Sequence, residues 1–303
     1  MKKFSMESSP SQKNKVAIIT GANSGIGYET SLALAKKGAK VILASRNLQK
    51  ANDAMNQILQ QVPNAHVEVL TVDLNSLKSV ESFVQEFSRK YDRLDLLIEN
   101  AGIMMPPLTK TKDGFESQFG VNYLAHFHLT NLLFPIIKNT PNARIVTLSS
   151  LAHLNGKIDF KNLDGSKGYS KLDFYAQSKL ACLMFAYELQ RRIESAGIDA
   201  KAVSAHPGFS STNLGTFLPA IGRALFSPLT SIMGQGAKAG ALPILRAALD
   251  PAVKGGEYFG PSGFKEFKGD PILVNSSSRS HDLSVAARLW SVSEDLTGKK
   301  FDI

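Results

Sequence analysis

A chain of 303 residues with 43% hydrophobic and 20% charged residues has the balance of a folded globular protein, which sets aside disordered and fibrous classes. Its formal charge of +9 is carried by lysines scattered along the chain without aromatic interleaving, so a solvated basic surface is preferred and no nucleic-acid partner is expected. The one cysteine, Cys182, forbids an intrachain disulfide and suits a reducing, cytoplasmic setting, and no run of eighteen apolar residues offers a membrane span.

Length alone would allow two domains, but α/β folds often reach this size as one unit. Residues 1–14 are polar, without an apolar targeting core, and read as a flexible leader. Lys2, Lys3, Lys13 and Lys15 would give it at most a weak, salt-sensitive attraction to a membrane surface.

The most informative stretch follows at once. Residues 16–19 are apolar and largely β-branched, as in a buried parallel strand, and Thr20-Gly21-Ala22-Asn23-Ser24-Gly25-Ile26-Gly27 turns the chain into a helix over residues 26–37. Glycines let a pyrophosphate approach backbone N–H groups, and a helix N-terminus favours an anion. The G-x-x-x-G-x-G spacing departs from the G-x-G-x-x-G dinucleotide fingerprint and lacks the ending of a P-loop, so a ligand-free tight turn stays open.

Gly38 closes that helix, and residues 40–44 give a second strand in a right-handed βαβ unit. About twenty residues past the glycine loop, where an acid would take a ribose 2′-hydroxyl, stand Ser45 and Arg46. A guanidinium there can pair with a 2′-phosphate, which favours NADP over NAD; the alternative is a surface arginine opening a helix. A helix over 48–61, a strand over 66–71, a helix over 77–91 and a strand over 94–98 follow. Asp73-Leu74 and Asn100-Ala101-Gly102 end these two strands at the carboxyl edge, where open α/β sheets bind ligands. Asp73 is either an adenine-side contact or an ordinary loop cap.

A long helix over 120–138 carries Asn122, and a fifth strand over 144–149 ends at Ser149 and Ser150. After a polar stretch, helical periodicity returns over 172–196, and a sixth strand over 201–205 breaks at His206-Pro207-Gly208. Strand and helix alternate without repeat or linker, so the expected fold is one α/β domain, doubly wound, with a mostly parallel sheet and helices on both faces. Residues 214–242 are apolar and rich in Gly and Pro; with their flanks, about 210–245, they read as a lid over a greasy pocket or as a partner-binding surface. A strand near 258–259 and a helix over 282–293 complete the chain.

Tyr175 and Lys179 lie four residues apart, on one helix face. A neighbouring ammonium favours the phenolate and brings a tyrosine toward useful proton transfer near neutral pH. Ser149 and Ser150 offer hydroxyls suited to hold a carbonyl oxygen. The histidines show no metal-ligand spacing, and no G-x-S-x-G elbow marks a serine nucleophile.

Together these motifs resemble the short-chain dehydrogenase/reductase family, in its retinol dehydrogenase-like branch. The residues that carry the likeness run from Thr20–Gly27 through Ser45-Arg46, Asp73-Leu74, Asn100-Ala101-Gly102, Asn122, Ser150, Tyr175, Lys179 and His206-Pro207-Gly208 with Thr212. The ending, Tyr258-Phe259-Gly260-Pro261 and Leu289-Trp290, is similar too. The separation of Ser150 and Tyr175 is twice the family's usual dozen and resembles that branch; the following Leu-Ala-His aligns Ser150 rather than Ser149.

The resemblance implies a Rossmann fold and an NADP(H)-dependent exchange between an alcohol and an aldehyde or ketone. Tyr175 would be proton donor, Lys179 would tune it and hold the nicotinamide ribose, Ser150 would orient the carbonyl, and Asn122 would anchor a water-linked relay. Gly21, Asn23, Ser24, Gly25, Ile26, Gly27, Arg46, Asp73, Leu74, Asn100, Ala101, Gly102, Tyr175, Lys179, Pro207, Gly208 and Thr212 would bind the dinucleotide. A small lipophilic substrate is the expected partner, and a homo-oligomer is compatible. Alternatives are a non-catalytic NADP(H) sensor or scaffold and an enone double-bond reductase.

Overall fold

The computed structural model describes residues 4–209 and 235–303. Eight strands form one sheet in the order β3-β2-β1-β4-β5-β6-β7-β8. They are β1 (Val16–Thr20), β2 (Lys40–Ser45), β3 (His66–Thr71), β4 (Leu96–Glu99), β5 (Ala143–Leu148), β6 (Ala200–Ala205), β7 (Tyr258–Pro261) and β8 (Pro271–Leu273). Neighbours from β3 to β7 pair parallel, and β8 alone runs antiparallel, against β7.

The apolar runs of β1 and β2 become wholly buried strands because helices cover both faces of the sheet. One face packs α3 (Leu77–Lys90), α5 (Ala125–Ile137), α6 (Lys171–Ser195) and the C-terminal helix Leu283–Thr297 around Phe127, Phe185 and Trp290. The other packs α1 (Gly25–Lys36), α2 (Leu48–Gln61) and the helix Leu242–Leu249 around Ile19, Leu34 and Leu43. The result is the single doubly wound Rossmann-type α/β domain expected from the alternation. Strand order reverses between β1 and β4, which opens a crevice at their carboxyl ends.

Two local readings change, and most of a third lies outside the described residues. Residues 4–14, read as a loose leader, are tied down: Phe4 and Met6 pack on the core, Gln12 is buried, and Lys37 Nζ donates to the carbonyls of Ser9 at 2.8 Å and Glu7 at 3.2 Å. Of the stretch read as a lid, residues 210–234 lie outside the described residues. Within the remainder, Ala237–Gly240 is a short helix, and Leu242–Leu249 is a buried part of the helical layer. The long helix expected over 120–138 is a composite of α4 (Ser117–Phe119), a π-turn (Gly120–Leu124) and α5.

Candidate active site

β1 ends at Thr20, where the chain must reverse within a few residues to start α1. Gly21 and Gly25 take left-handed backbone, φ +67° and +56°, which side chains disfavour. Closeness adds a second reason for glycine. A Cβ on Gly27 would stand 2.4 Å from Gly21 O and 2.5 Å from Asn100 Nδ2, and one on Gly21 would stand 3.0 Å from Ala101 Cα. The loop is cross-braced to the end of β4: Asn100 Nδ2 donates to Thr20 O at 2.8 Å, and Ala101 N–H donates to Thr20 Oγ1 at 3.0 Å.

α2, α3 and α6 are each capped by a side chain, from Asn47, Ser76 and Ser170. At α1 the Ser24 side chain makes no capping bond, and the first turn holds no acid. Its initial N–H groups, which a helix cannot satisfy internally, therefore stay available to an anion. The cradle and the uncapped helix end fit the pyrophosphate of a dinucleotide.

Around the cradle, Asn23 Oδ1 accepts from Ser45 Oγ at 3.2 Å, which joins the glycine loop to the end of β2. The next residue, Arg46, is exposed and has no hydrogen bond or ion pair among the described residues. Asp73 accepts from Asn75 N–H at 3.1 Å and from Lys112 Nζ at 3.2 Å, so it is a loop cap and ion-pair partner at the sheet edge. Leu74 faces the core, and only its backbone is left for a ligand. Ile26 is likewise buried. Pro207 and Gly208 follow β6, with Gly208 at φ +67° and a virtual Cβ 2.4 Å from Phe267 O. Thr212 lies outside the described residues.

Tyr175 and Lys179 occupy one face of α6 and are both 6% exposed, with Lys179 Nζ 5.9 Å from the centre of the Tyr175 ring. Lys179 Nζ donates to Leu148 O at 2.9 Å. Among the described residues no carboxylate pairs with this ammonium. Gly102 borders the same space: a Cβ there would stand 3.2 Å from Asn122 Oδ1 and 3.5 Å from Lys179 Nζ.

The two serines separate clearly. Ser149, buried, donates its hydroxyl to Lys179 O at 2.8 Å and braces α6 against β5. Ser150 is half-buried at the strand end, and among the described residues its hydroxyl accepts only from Ala152 N–H, at 3.2 Å. Its proton and a lone pair stay free for an oxygen in the crevice.

Asn122 sits in the π-turn, a form often found at functional positions. Its Oδ1 accepts from Ile103 N–H at 2.8 Å, while Nδ2 donates to Ile103 O and Ser178 Oγ, each at 3.0 Å. The amide thus pins the turn after Gly102 to α6; both of its N–H bonds are engaged, and Oδ1, with one donor, keeps a second lone pair.

One buried network had no counterpart in the sequence reading. His126 Nδ1 can only donate to Asn122 O, 2.9 Å away, so Nε2 accepts from Thr20 Oγ1 at 2.9 Å. Burial pushes the His126 pKa down to about 4, and the ring stays neutral. The bond joins β1 to the first turn of α5 across 106 residues of sequence. The four-residue offset from Asn122 to His126 was the available sign, since it puts both on one face. Cys182 Sγ also donates to Asn122 O, at 3.2 Å, and burial raises its pKa to about 11, leaving a packing role.

Glu99, next to Asn100, is buried, and burial raises its pKa to about 8 against the opposing pull of Thr130 Oγ1, which donates at 2.5 Å. A carboxyl whose folded pKa lies above its unfolded value stabilises fully below the unfolded value, near 4.5, and loses that contribution as pH rises through 8. Glu99→Gln keeps the acceptor and cannot ionise. It is expected to gain on the parent by a few kcal/mol between pH 5 and 9, which melting curves across that range would check.

A crevice with a glycine cradle on one wall and a buried phenol and ammonium on the other is the mark of dinucleotide-dependent oxidoreductases. The chain belongs to the short chain dehydrogenase family, whose profile matches residues 15–220. It is 41% identical to mouse retinol dehydrogenase 12 over 290 residues, covering 95% of this chain and 88% of that one. Human retinol dehydrogenase 13 is 40% identical over 291 residues, with 94% and 85% covered. The chloroplastic short-chain dehydrogenase TIC 32 B of Brassica napus is 38% identical over 291 residues, with 93% and 88% covered. A crystal structure from Mycobacterium paratuberculosis aligns over the whole of both chains with TM-score 0.83 and 39% identity.

Proposed function

We propose that the protein is an NADP(H)-dependent oxidoreductase that interconverts an alcohol and a lipophilic aldehyde or ketone. The observation that carries this reading is the buried Tyr175–Lys179 pair, whose ammonium has no carboxylate partner among the described residues. When bound, the dinucleotide supplies or accepts the hydride. In reduction, the Tyr175 phenol gives its proton to the substrate oxygen, and the Lys179 ammonium stabilises the phenolate left behind. Ser150 donates its free hydroxyl to the same oxygen and orients the carbonyl. Asn122 holds the turn after Gly102 against α6, which fixes the floor on which Lys179 rests.

Arg46, exposed just past the end of β2 and unpaired among the described residues, supports the choice of a 2′-phosphate. Arg46→Asp is expected to lower kcat/KM with NADPH by about tenfold to a hundredfold and to improve the NADH ratio, since a favourable charge contact becomes a repulsive one. An unchanged ratio in steady-state kinetics would release Arg46 from this role.

Leu108 and Leu154, on loops after β4 and β5, and Leu172, in the first turn of α6, are exposed at 45%, 50% and 54%. These apolar side chains at the carboxyl edge favour an apolar substrate, in keeping with relatives named for retinol. No helix among the described residues is long and apolar enough to cross a membrane. The lone buried thiol supports a reducing, cytoplasmic setting.

The test is a screen of aldehydes and ketones with NADPH, following its oxidation and identifying products. Turnover to the alcohol supports the reading. Tight NADPH binding without turnover would indicate a sensor, and a saturated ketone formed from an enone would indicate double-bond reduction.

A further inference from the structure

The hydroxyl of Ser150 is placed only as well as the backbone beneath it. Ser150 leaves β5 in extended conformation, φ −157° and ψ 158°, and opens the 3-10 turn Leu151–Asn155. Its carbonyl accepts the His153 backbone N–H at 3.0 Å and His153 Nδ1–H at 2.7 Å. The other ring nitrogen, Nε2, accepts from Ser277 N–H at 3.2 Å. A carbonyl only accepts and an amide N–H only donates, so the proton is fixed on Nδ1 and Nε2 is bare. Burial lowers the His153 pKa, which keeps the ring in this uncharged form.

The ring is 1% exposed and stands edge-on to Tyr258, with centroids 5.5 Å apart and planes at 89°. Tyr258 in turn lies against His206, 5.3 Å away, at the end of β6. Arg279, in the turn after Ser277, donates to Gly156 O at 3.0 Å and so holds the far end of the Ser150 segment. Both ring nitrogens and one aromatic contact thus restrain the direction of the imidazole.

We propose that His153 is a positioning residue for Ser150: its imidazole bridges the Ser150 carbonyl and the Ser277 amide, and so sets the direction in which the serine hydroxyl meets the substrate oxygen. The proposal rests on the reading of Ser150 as the group that orients the carbonyl.

Two amide variants separate positioning from packing, because each keeps one half of the bridge. The amide nitrogen of His153→Asn falls near Nδ1 and can still donate to Ser150 O, but it is too short for Ser277. The amide of His153→Gln reaches the Nε2 position and can accept from Ser277, but it gives Ser150 nothing. With decanal and NADPH, His153→Gln is expected to lower kcat by about tenfold or more with KM for NADPH unchanged, and His153→Asn to stay within about threefold of the parent. Their melting temperatures should fall together. Adding His153→Gln to Ser150→Ala should cost little more than Ser150→Ala alone, as for groups acting as one unit.

Equal losses of kcat in the two variants, following lost stability, would overturn the proposal, as would losses that add fully in the double variant. A dead Ser150→Ala beside a fully active His153→Gln would overturn the proposal and leave Ser150 its role. Full activity in Ser150→Ala would remove that role and this proposal with it.

Discussion

Tyr175→Phe is expected to lower kcat for carbonyl reduction by about 10² to 10⁴-fold, the usual contribution of a positioned proton donor, while NADPH binds as it does to the parent. The ring is 6% exposed among the side chains of α6, and phenylalanine keeps its volume and packing, so the fold should be retained. What disappears is the one acidic hydroxyl on the helix face that also carries Lys179. Steady-state turnover of decanal, beside a fluorescence titration of NADPH, measures the two halves separately. Full turnover with phenylalanine at 175 would move the proton donor elsewhere. Lost NADPH affinity would show instead that the hydroxyl serves binding, which changes KM before kcat.

The fold was largely legible because it rests on signals that are local in sequence. β3 and α2 fall where periodicity puts them, and β1 and β2 stand out because buried parallel strands are continuous apolar runs. β8 escaped notice because it is only three residues long, Pro271–Leu273, and pairs antiparallel at an edge, where neither alternation nor a long apolar run is required. The π-turn at Asn122 is invisible to periodicity for another reason. It spans only five residues, too few for a change of period to register.

The site divides in the same way. The glycine cradle and the phenol and ammonium of α6 are spacings within one element or one turn. The groups that hold them are not: Thr20 with His126, Ser149 with the Lys179 carbonyl, and His153 with Ser277 meet across 106, 30 and 124 residues. In sequence each of these looks like an ordinary polar residue on an apolar element. Only the fold brings these partners together: Thr20, His126, Ser149, Lys179 and His153 are buried, and each has found one. The contacts of residues 4–14 escaped notice on the same ground, since Phe4 and Met6 acquire meaning only when the core beside them is known.

Gly27→Ala is expected to cost about 1 to 3 kcal/mol of stability and to weaken NADPH binding by at least about tenfold. The added methyl would lie 2.4 Å from Gly21 O and 2.5 Å from Asn100 Nδ2, and the first of these is backbone, which no rotamer change can relieve. To make room, the Gly21 carbonyl must swing away or Asn100 must release Thr20 O, now held at 2.8 Å. Either movement opens the cross-brace that keeps the uncapped end of α1 aimed at the crevice. Gly197→Ala gives the control. Gly197 has φ +64°, so alanine there bears the left-handed backbone cost of about 1 to 2 kcal/mol, yet nothing lies within 4 Å of its virtual Cβ. It should lower the melting temperature comparably and leave NADPH affinity untouched. Parent-like affinity in Gly27→Ala would mean that the phosphates do not sit on this loop, whereas an affinity loss shared by both variants would trace to general destabilisation.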